Sequence, residues 1–510
     1  MSINLKTEIH HGNQFKKIAR HGGLLFTSSI IISLSSFVLI PIYTRYLSPE
    51  QYGIWASLNS ITQFLGVAIG LFLGSSFSRY YFEEKRISNE NVSFLFSTNF
   101  WFIFGWGILV ILICILISPF TFEPLLKISF YPMIFATIVP VLFNELGISV
   151  QSYLRNTLEI GKIVFRDIVI FIISTLFILM FLIFFNMGVE ALVYGAAISA
   201  ILSFIFYTLI AKRKNILRFY FERKVIKKSL AYSLPLVPSI GSGVIARFSD
   251  RLMLAYFGTL DEVGLYSVSS GISRVMYFFI DAVTQVQGSI SMSALTENKE
   301  KAKKQISEFL TFYIYISFFF YLGLTMFAKE FLYLFPESYQ SAYKIVGLLA
   351  LSPFFGGIYR PYATILSYHK KMYLISVASM LSAIFNIVGN FIFIPIFGQL
   401  GAAVSTVFSV FIFTVWIIYW SQKIDPVNHN LLSIYTAFIF GLFLLFSYYY
   451  IDIYLELDSV TLFLIKIPIF FSFFFPLFFL SSMKKVRNEL LESIKSLHQK
   501  IFKIKIRDKN

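Results

Sequence analysis

The chain is a succession of apolar segments, each about 20 residues long, and that is the length a helix needs to cross a hydrocarbon core roughly 30 Å thick. Fourteen such segments lie along the 510 residues, at 24–44, 54–77, 95–118, 129–151, 163–185, 190–211, 234–257, 265–291, 309–330, 343–366, 373–396, 399–420, 432–451 and 460–482. Backbone surrounded by lipid must satisfy its own hydrogen bonds, so segments of this kind fold as helices. Composition points the same way. Only 14% of residues are charged while 57% are hydrophobic, against roughly 25% charged in soluble domains. The expected fold class is an all-α polytopic membrane protein with fourteen transmembrane helices.

A net charge of +16 would suggest nucleic acid in a soluble protein, so the placement of Lys and Arg decides its meaning. With the N-terminus inside, the basic residues gather in alternate breaks, eight of them in "KRKNILRFYFERKVIKK" at 212–228, while the outer breaks hold Arg45, Lys127 and Lys329. That is the positive-inside pattern. It predicts an even number of spans with both termini cytoplasmic, and no nucleic-acid partner. The 212–229 segment reads as a cytoplasmic connector. Its basic side chains suit anionic lipid, each worth about 1 kcal/mol near the surface, although simple topology accounts for them equally well.

Two local echoes separate the chain into halves. "YLSPEQYGIWA" (46–56) resembles "YFGTLDEVGLYS" (256–267), and "FNMGVEALVYGAA" (185–197) resembles "IPIFGQLGAA" (394–403). Six spans is an even number, so both halves enter the membrane in the same direction and the repeat is parallel. The organisation this implies is an N-terminal six-helix lobe (1–211), the connector (212–229), a C-terminal six-helix lobe (230–421), helices thirteen and fourteen (422–483), and a cytoplasmic tail (484–510). In the tail, Leu490, Leu491, Ile494, Leu497 and Ile501 recur at helical spacing among lysines, as expected of an amphipathic helix on the inner leaflet. Lys466, near the outer end of span fourteen, is expected to snorkel toward water.

Motifs for chemistry are absent. The sequence has no phosphate loop, no H-E-x-x-H pair and no soluble segment large enough for an ATPase. Cys114 is the single cysteine, which leaves no disulfide or thiolate metal site. His10 and His11 are adjacent but lack further ligands nearby. The first apolar run is long and followed by "RYLSPEQYG", so no cleavable signal peptide is expected. We expect no catalytic residue, metal or cofactor, and a transporter instead of an enzyme.

Charges inside spans cost roughly 2.5–3.5 kcal/mol on insertion scales and usually face a cavity or a partner. In span seven Arg247, Asp250 and Arg251 share one helical face by their i, i+3 and i+4 spacing. Arg274 and Asp281 share a face in span eight. Arg360 lies in span ten, Glu145 in span four, and Asn386 and Asn390 in span eleven. One reading is structural: Arg247 and Arg251 neutralise Asp250, Arg274 neutralises Asp281, and the asparagines tie helices together. Yet four arginines meet two acids in spans seven to ten, and a cationic surplus suits an anion, with Arg able to fork onto phosphate. Pro235, Pro238, Pro353 and Pro395 interrupt spans beside glycines, where they serve either fixed packing or hinges.

The stretches "PIYTRYLSPEQYGIWA" (41–56), "DRLMLAYFGTLDEVGLYS" (250–267) and "NIVGNFIFIPIFGQLGAA" (386–403) give the chain its resemblance, over essentially its whole length, to the O-antigen and capsule polysaccharide flippases of the multidrug, oligosaccharidyl-lipid and polysaccharide exporter superfamily. The resemblance implies two six-helix lobes in a V shape plus two further helices. It implies a substrate of undecaprenyl-diphosphate-linked oligosaccharide, moved by alternating access from the cytoplasmic to the outer leaflet of a bacterial inner membrane, among membrane lipids and other polysaccharide assembly proteins. The expected substrate-binding residues are Arg247, Arg251, Arg274, Arg360, Asn386 and Asn390, chosen by depth and charge. Asp250, Asp281 and Glu145 are the candidates for coupling to H+ or Na+. Two alternatives stay open: a drug or small-cation exporter of the same superfamily, which should line its cavity with acids, and a membrane glycosyl polymerase, which the short outer loops disfavour.

Overall fold

A computed structural model describes residues 23, 24, 27–126, 128, 130–277, 280, 284, 291, 292, 294, 295, 297–454 and 459–474. Asp281, Lys127, His10, His11 and the 484–510 tail, for which the sequence sets expectations, lie outside the described residues. Among the described residues the regular structure is helical. The main elements are α1 (Thr27–Thr44), α2 (Pro49–Gly70), α3 (Leu73–Ile87), α4 (Asn89–Leu126), α5 (Phe135–Asn156), α6 (Ile160–Ile183), α7 (Val189–Arg213), α8 (Arg223–Ser233), α9 (Leu236–Phe257) and α10 (Leu260–Ser273). They continue with α11 (Lys299–Met326), α12 (Tyr343–Tyr368), α13 (Met372–Phe397), α14 (Gln399–Ile424), α15 (Leu431–Tyr454) and α16 (Ser459–Ser472).

Ten helices among the described residues are long and apolar enough to cross a membrane, and α8 with α9 makes an eleventh as a span bent by 53°. The ten match expected spans one to six, nine, and eleven to thirteen. The bend in span seven falls at Pro235, which caps α9 and cannot donate the backbone bond that would continue α8. At the places of spans ten and fourteen lie α12 and the shorter α16, and α10 opens span eight. Pro353 and Pro395, by contrast, sit inside continuous helices.

The described residues form two compact units. The first runs to Gly271 and includes Phe335–Ala342 and Ser379–Thr406; the second holds Ile272–Leu334, Tyr343–Ala378 and the residues from Val407 onward. In the second unit Phe318 is the hub of an aromatic core, its ring 5.6 Å from Phe354, 5.6 Å from Phe438 and 5.7 Å from Phe473. Large apolar side chains such as Leu116, Phe120 and Phe446 point outward instead, as lipid-facing positions do.

The two sequence echoes become matched structures within the first unit. Ser48 caps α2, accepting from the Gln51 N–H at 3.2 Å while the Gln51 side chain accepts from the Ser48 N–H. Thr259 and Glu262 repeat this exchange at the start of α10. Such reciprocal caps satisfy two orphan donors at each helix start. Gly188 and Gly398 open the partner turns with φ of +61° and +56°, a left-handed conformation that favours glycine. Each approaches the matching cap residue: a methyl on Gly188 would meet Gln51 at 3.0 Å, and one on Gly398 would meet Glu262 at 2.7 Å.

Lys466 does not snorkel. Its side chain is fully buried, pairs with Glu330 at 2.6 Å, and lies 4.8 Å from the Tyr448 ring. A nearby acid from the short helix Ala328–Leu332 supplies the partner that water was expected to provide.

Candidate functional site

Asp250 sits on α9 with 2% of its surface exposed, and every partner it has among the described residues is uncharged. Oδ1 accepts from Asn390 Nδ2 at 2.7 Å and Asn386 Nδ2 at 3.0 Å, while Oδ2 accepts from the Tyr266 hydroxyl at 2.6 Å and the Thr406 hydroxyl at 2.6 Å. Helices α9, α10, α13 and α14 therefore converge on one carboxylate. Asn386 also accepts from Ser249 at 2.8 Å. Asn390 Oδ1 is buried without a hydrogen-bond partner among the described residues.

The neutralising pairs expected at Asp250 are not formed among the described residues. Among the described residues no Arg lies within ion-pair distance of Asp250. Arg251 is 5% exposed and turns the other way, donating to Ser267 Oγ at 3.0 Å, the Arg247 carbonyl at 3.2 Å and Ser270 Oγ at 3.4 Å. Tyr266 separates the two charges: its hydroxyl holds Asp250 while its ring lies 5.9 Å from the Arg251 guanidinium. Arg247 is exposed and donates only its Nε, to the Gly243 carbonyl at 3.0 Å. The two terminal nitrogens of its guanidinium have no protein partner among the described residues.

A second feature of the first unit is a cavity of about 750 Å³ lined by α2, α3 and α5. Glu145 from α5 projects into it and lies against a bare strip of α2, where methyl groups on Gly66 and Gly70 would come within 2.9 Å and 2.1 Å of its carboxylate oxygens. Arg79 and Arg155 line the same cavity. Each is engaged locally, Arg79 with Glu83 at 2.6 Å and Arg155 with Gln151 at 3.2 Å.

The expected site residues thus divide. Asp250, Asn386 and Asn390 meet directly, Arg251 and Arg247 flank them on α9, and Glu145 occupies the cavity. Arg274 and Arg360 belong to the second unit, where Arg274 is exposed and Arg360 donates to Thr284 at 2.8 Å. Sequence reasoning missed Tyr266 and Thr406, which complete the Asp250 cage. Tyr266 is buried and lies within the 256–267 echo, while Thr406 is half-buried three residues after the 394–403 echo; position at the repeat motifs is the signal that could have found them.

The model of a polysaccharide biosynthesis protein family matches residues 42–342, more than half of the chain. The chain belongs to that family. The matched region contains Glu145, Arg247, Asp250 and Tyr266 and ends before Asn386. An uncharacterized membrane protein in the cps region of Klebsiella pneumoniae is 23% identical over 498 residues, covering 93% of this chain and 96% of the relative. An uncharacterized membrane protein of Methanocaldococcus jannaschii is 25% identical over 312 residues, which span 56% of each protein. The solved structure of the lipid II flippase MurJ, in its inward closed conformation, aligns with a TM-score of 0.69 at 15% identity, over 89% of this chain and 98% of that one. The chain is accordingly a multi-pass helical membrane protein with the fold of that flippase.

Proposed function

We propose that this protein is a flippase that carries undecaprenyl-diphosphate-linked oligosaccharide from the cytoplasmic to the outer leaflet of a bacterial inner membrane, by alternating access, for O-antigen or another surface polysaccharide. The observation that carries the reading is Arg247: an exposed guanidinium at mid-span, its forked edge open, one helical turn from a caged carboxylate. An Arg fork matches the paired oxygens of a diphosphate. Family membership supports a role in polysaccharide synthesis, and the MurJ fold supports lipid-linked cargo. The inward-turned Arg251 adds positive potential behind Arg247 without touching the ligand. Arg274 and Arg360 are the remaining candidate contacts.

Coupling is assigned to Asp250 in this reading. The carboxylate, the orphan Asn390 oxygen and the Thr406 hydroxyl are oxygen donors of the kind hard cations take, and the same carboxylate can take a proton. Uptake of H+ or Na+ would loosen the Asn and Tyr bonds that lock α9 to α13 and α10, and so bias one conformation over another.

The test uses inverted membrane vesicles from a flippase-deficient strain expressing the chain, with lipid-linked oligosaccharide translocation measured under imposed proton or sodium gradients. Wild type restores translocation. Arg247→Gln lowers it by about tenfold or more, the worth of one charge-assisted bond pair, and Asp250→Asn removes the response to the gradient. Full translocation by Arg247→Gln at equal protein abundance overturns the assignment. A second reading, export of a small organic cation, is favoured by one observation, the Glu145 carboxyl group in the cavity, which has no ion pair among the described residues; ethidium efflux from cells expressing the chain would support it.

A further inference from the structure

Glu145 is the one acid lining the cavity and has no ion pair or hydrogen bond among the described residues. Its position is built. On α2, Gly66 and Gly70 are four apart and leave a groove into which the carboxylate fits, so tightly that a methyl on Gly70 would stand 2.1 Å from Oε2. Gln63, three residues before Gly66, shares that face and lines the same cavity, as do Asn144 and Gln151 on α5. Gln63 and Asn144 are exposed to the cavity and have no hydrogen-bond partner among the described residues. The volume of about 750 Å³ falls within the range of roughly 300–1,000 Å³ for small-ligand sites.

A carboxyl group presents two acceptor oxygens, while amides both donate and accept. Placed together without partners of their own, they form a surface that needs a ligand rich in hydroxyl groups. A pyranose meets this need: two vicinal hydroxyls can donate to one carboxylate, and its ring and remaining hydroxyls can take the amides. Val67, Phe72 and Ile148 in the same wall suit the apolar faces of a sugar ring. The cation alternative asks for a cluster of acids, and only one is present beside two arginines.

We propose that Glu145, seated on the Gly66–Gly70 groove and flanked by Gln63 and Asn144, binds the saccharide of the lipid-linked substrate and sets which sugars are accepted. The inference rests on the flippase reading and adds a separate determinant to it: Arg247 holds the diphosphate, Glu145 reads the sugar, and Gly70 is a positioning residue that aims the carboxylate.

The experiment measures binding by the full-length protein in detergent of short-chain polyprenyl diphosphates bearing glucose, galactose or N-acetylglucosamine, against the same lipid without sugar. Wild type should prefer at least one sugar-bearing probe over the bare lipid by about tenfold, the value of a charge-assisted bond to a hydroxyl. Glu145→Ala and Gly70→Ala should erase that preference while leaving affinity for the bare lipid unchanged. Gly70→Ala is decisive because it keeps the carboxyl group and only displaces it. Glu145→Gln, which retains an acceptor oxygen, should fall between. Equal preference in wild type and both variants overturns the inference and leaves the flippase reading intact, as does a wild type that binds every probe and the bare lipid alike. Equal loss of bare-lipid and sugar-lipid binding in Gly70→Ala also overturns it, because the groove would then serve the fold alone. Wild type that binds no lipid probe but binds ethidium through Glu145 overturns the flippase reading itself.

Discussion

At the scale of single residues, the Asp250 cage shows how a buried charge can be held without an opposite charge. Four donors on its two oxygens replace the water that burial removed, and hydrogen bonds to an ionised group contribute about 1.5–3 kcal/mol each. Spacing along α9 made Arg247 and Arg251 obvious partners, because residues three and four apart share a helical face. What spacing does not give is rotamer direction: Arg251 turns to Ser267 and Ser270, and Arg247 bonds back to the Gly243 carbonyl. Four-residue spacing made the shared face of the two asparagines legible, but not that both are fully buried against Asp250; Tyr266 was harder to read, since its polarity resides in one hydroxyl of a largely apolar ring. Tyr266→Phe and Thr406→Val should each cost about 1.5–3 kcal/mol, read as a lower thermal midpoint in detergent. In an Asp250→Asn background both costs should shrink, since residues of one network do not add. Arg247→Gln should leave the midpoint unmoved. A drop for Arg247→Gln as large as that for Tyr266→Phe would restore the ion-pair account.

At the scale of elements, the repeat is visible as contact as well as similarity. A methyl on Gly53 would stand 1.9 Å from the Leu260 carbonyl oxygen, and one on Gly264 would stand 2.0 Å from that of Pro49. The starts of α2 and α10 thus cross, each glycine lying on the first residue of the other helix, and Tyr339 ties the same region by donating to the Leu47 carbonyl at 3.0 Å. The echo "YGIWA" and "VGLYS" showed that these glycines correspond. Their meeting face to face was not readable, because sequence similarity reports equivalence and not contact. In an open helical position Gly→Ala favours the helix by about 0.8–1 kcal/mol. At Gly53 and Gly264 the sign should reverse, since the obstacle is backbone that cannot rotate away. The comparison is Gly161→Ala in α6, where nothing stands within 4 Å. Thermal midpoints lower than wild type for Gly53→Ala and Gly264→Ala, with Gly161→Ala equal or higher, meet this expectation; three equal midpoints defeat it.

At the scale of the whole molecule, spans were legible from apolar length because a bilayer imposes one dimension on every helix, ten of them standing among the described residues as helices long and apolar enough to cross, and residues with two roles were the ones misjudged. Lys466 is the clearest case. Near a span end, a lone Lys is expected to reach water, yet here it is fully buried and held by Glu330, joining α16 to the short helix after α11 within the second unit. Taking two ions out of water costs several kcal/mol each, and their attraction offsets this only while both are present. Removing one partner should therefore be worse than removing both. Glu330→Gln is expected to destabilise by about 3–5 kcal/mol by leaving Lys466 buried and uncompensated, and Lys466→Met should be milder because its apolar stem suits the Tyr448 face. The double variant should recover most of the loss. Membrane abundance and thermal midpoint of the four proteins close the cycle. If Glu330→Gln is no less stable than the double variant, Lys466 has a route to water after all and the second unit does not depend on the pair.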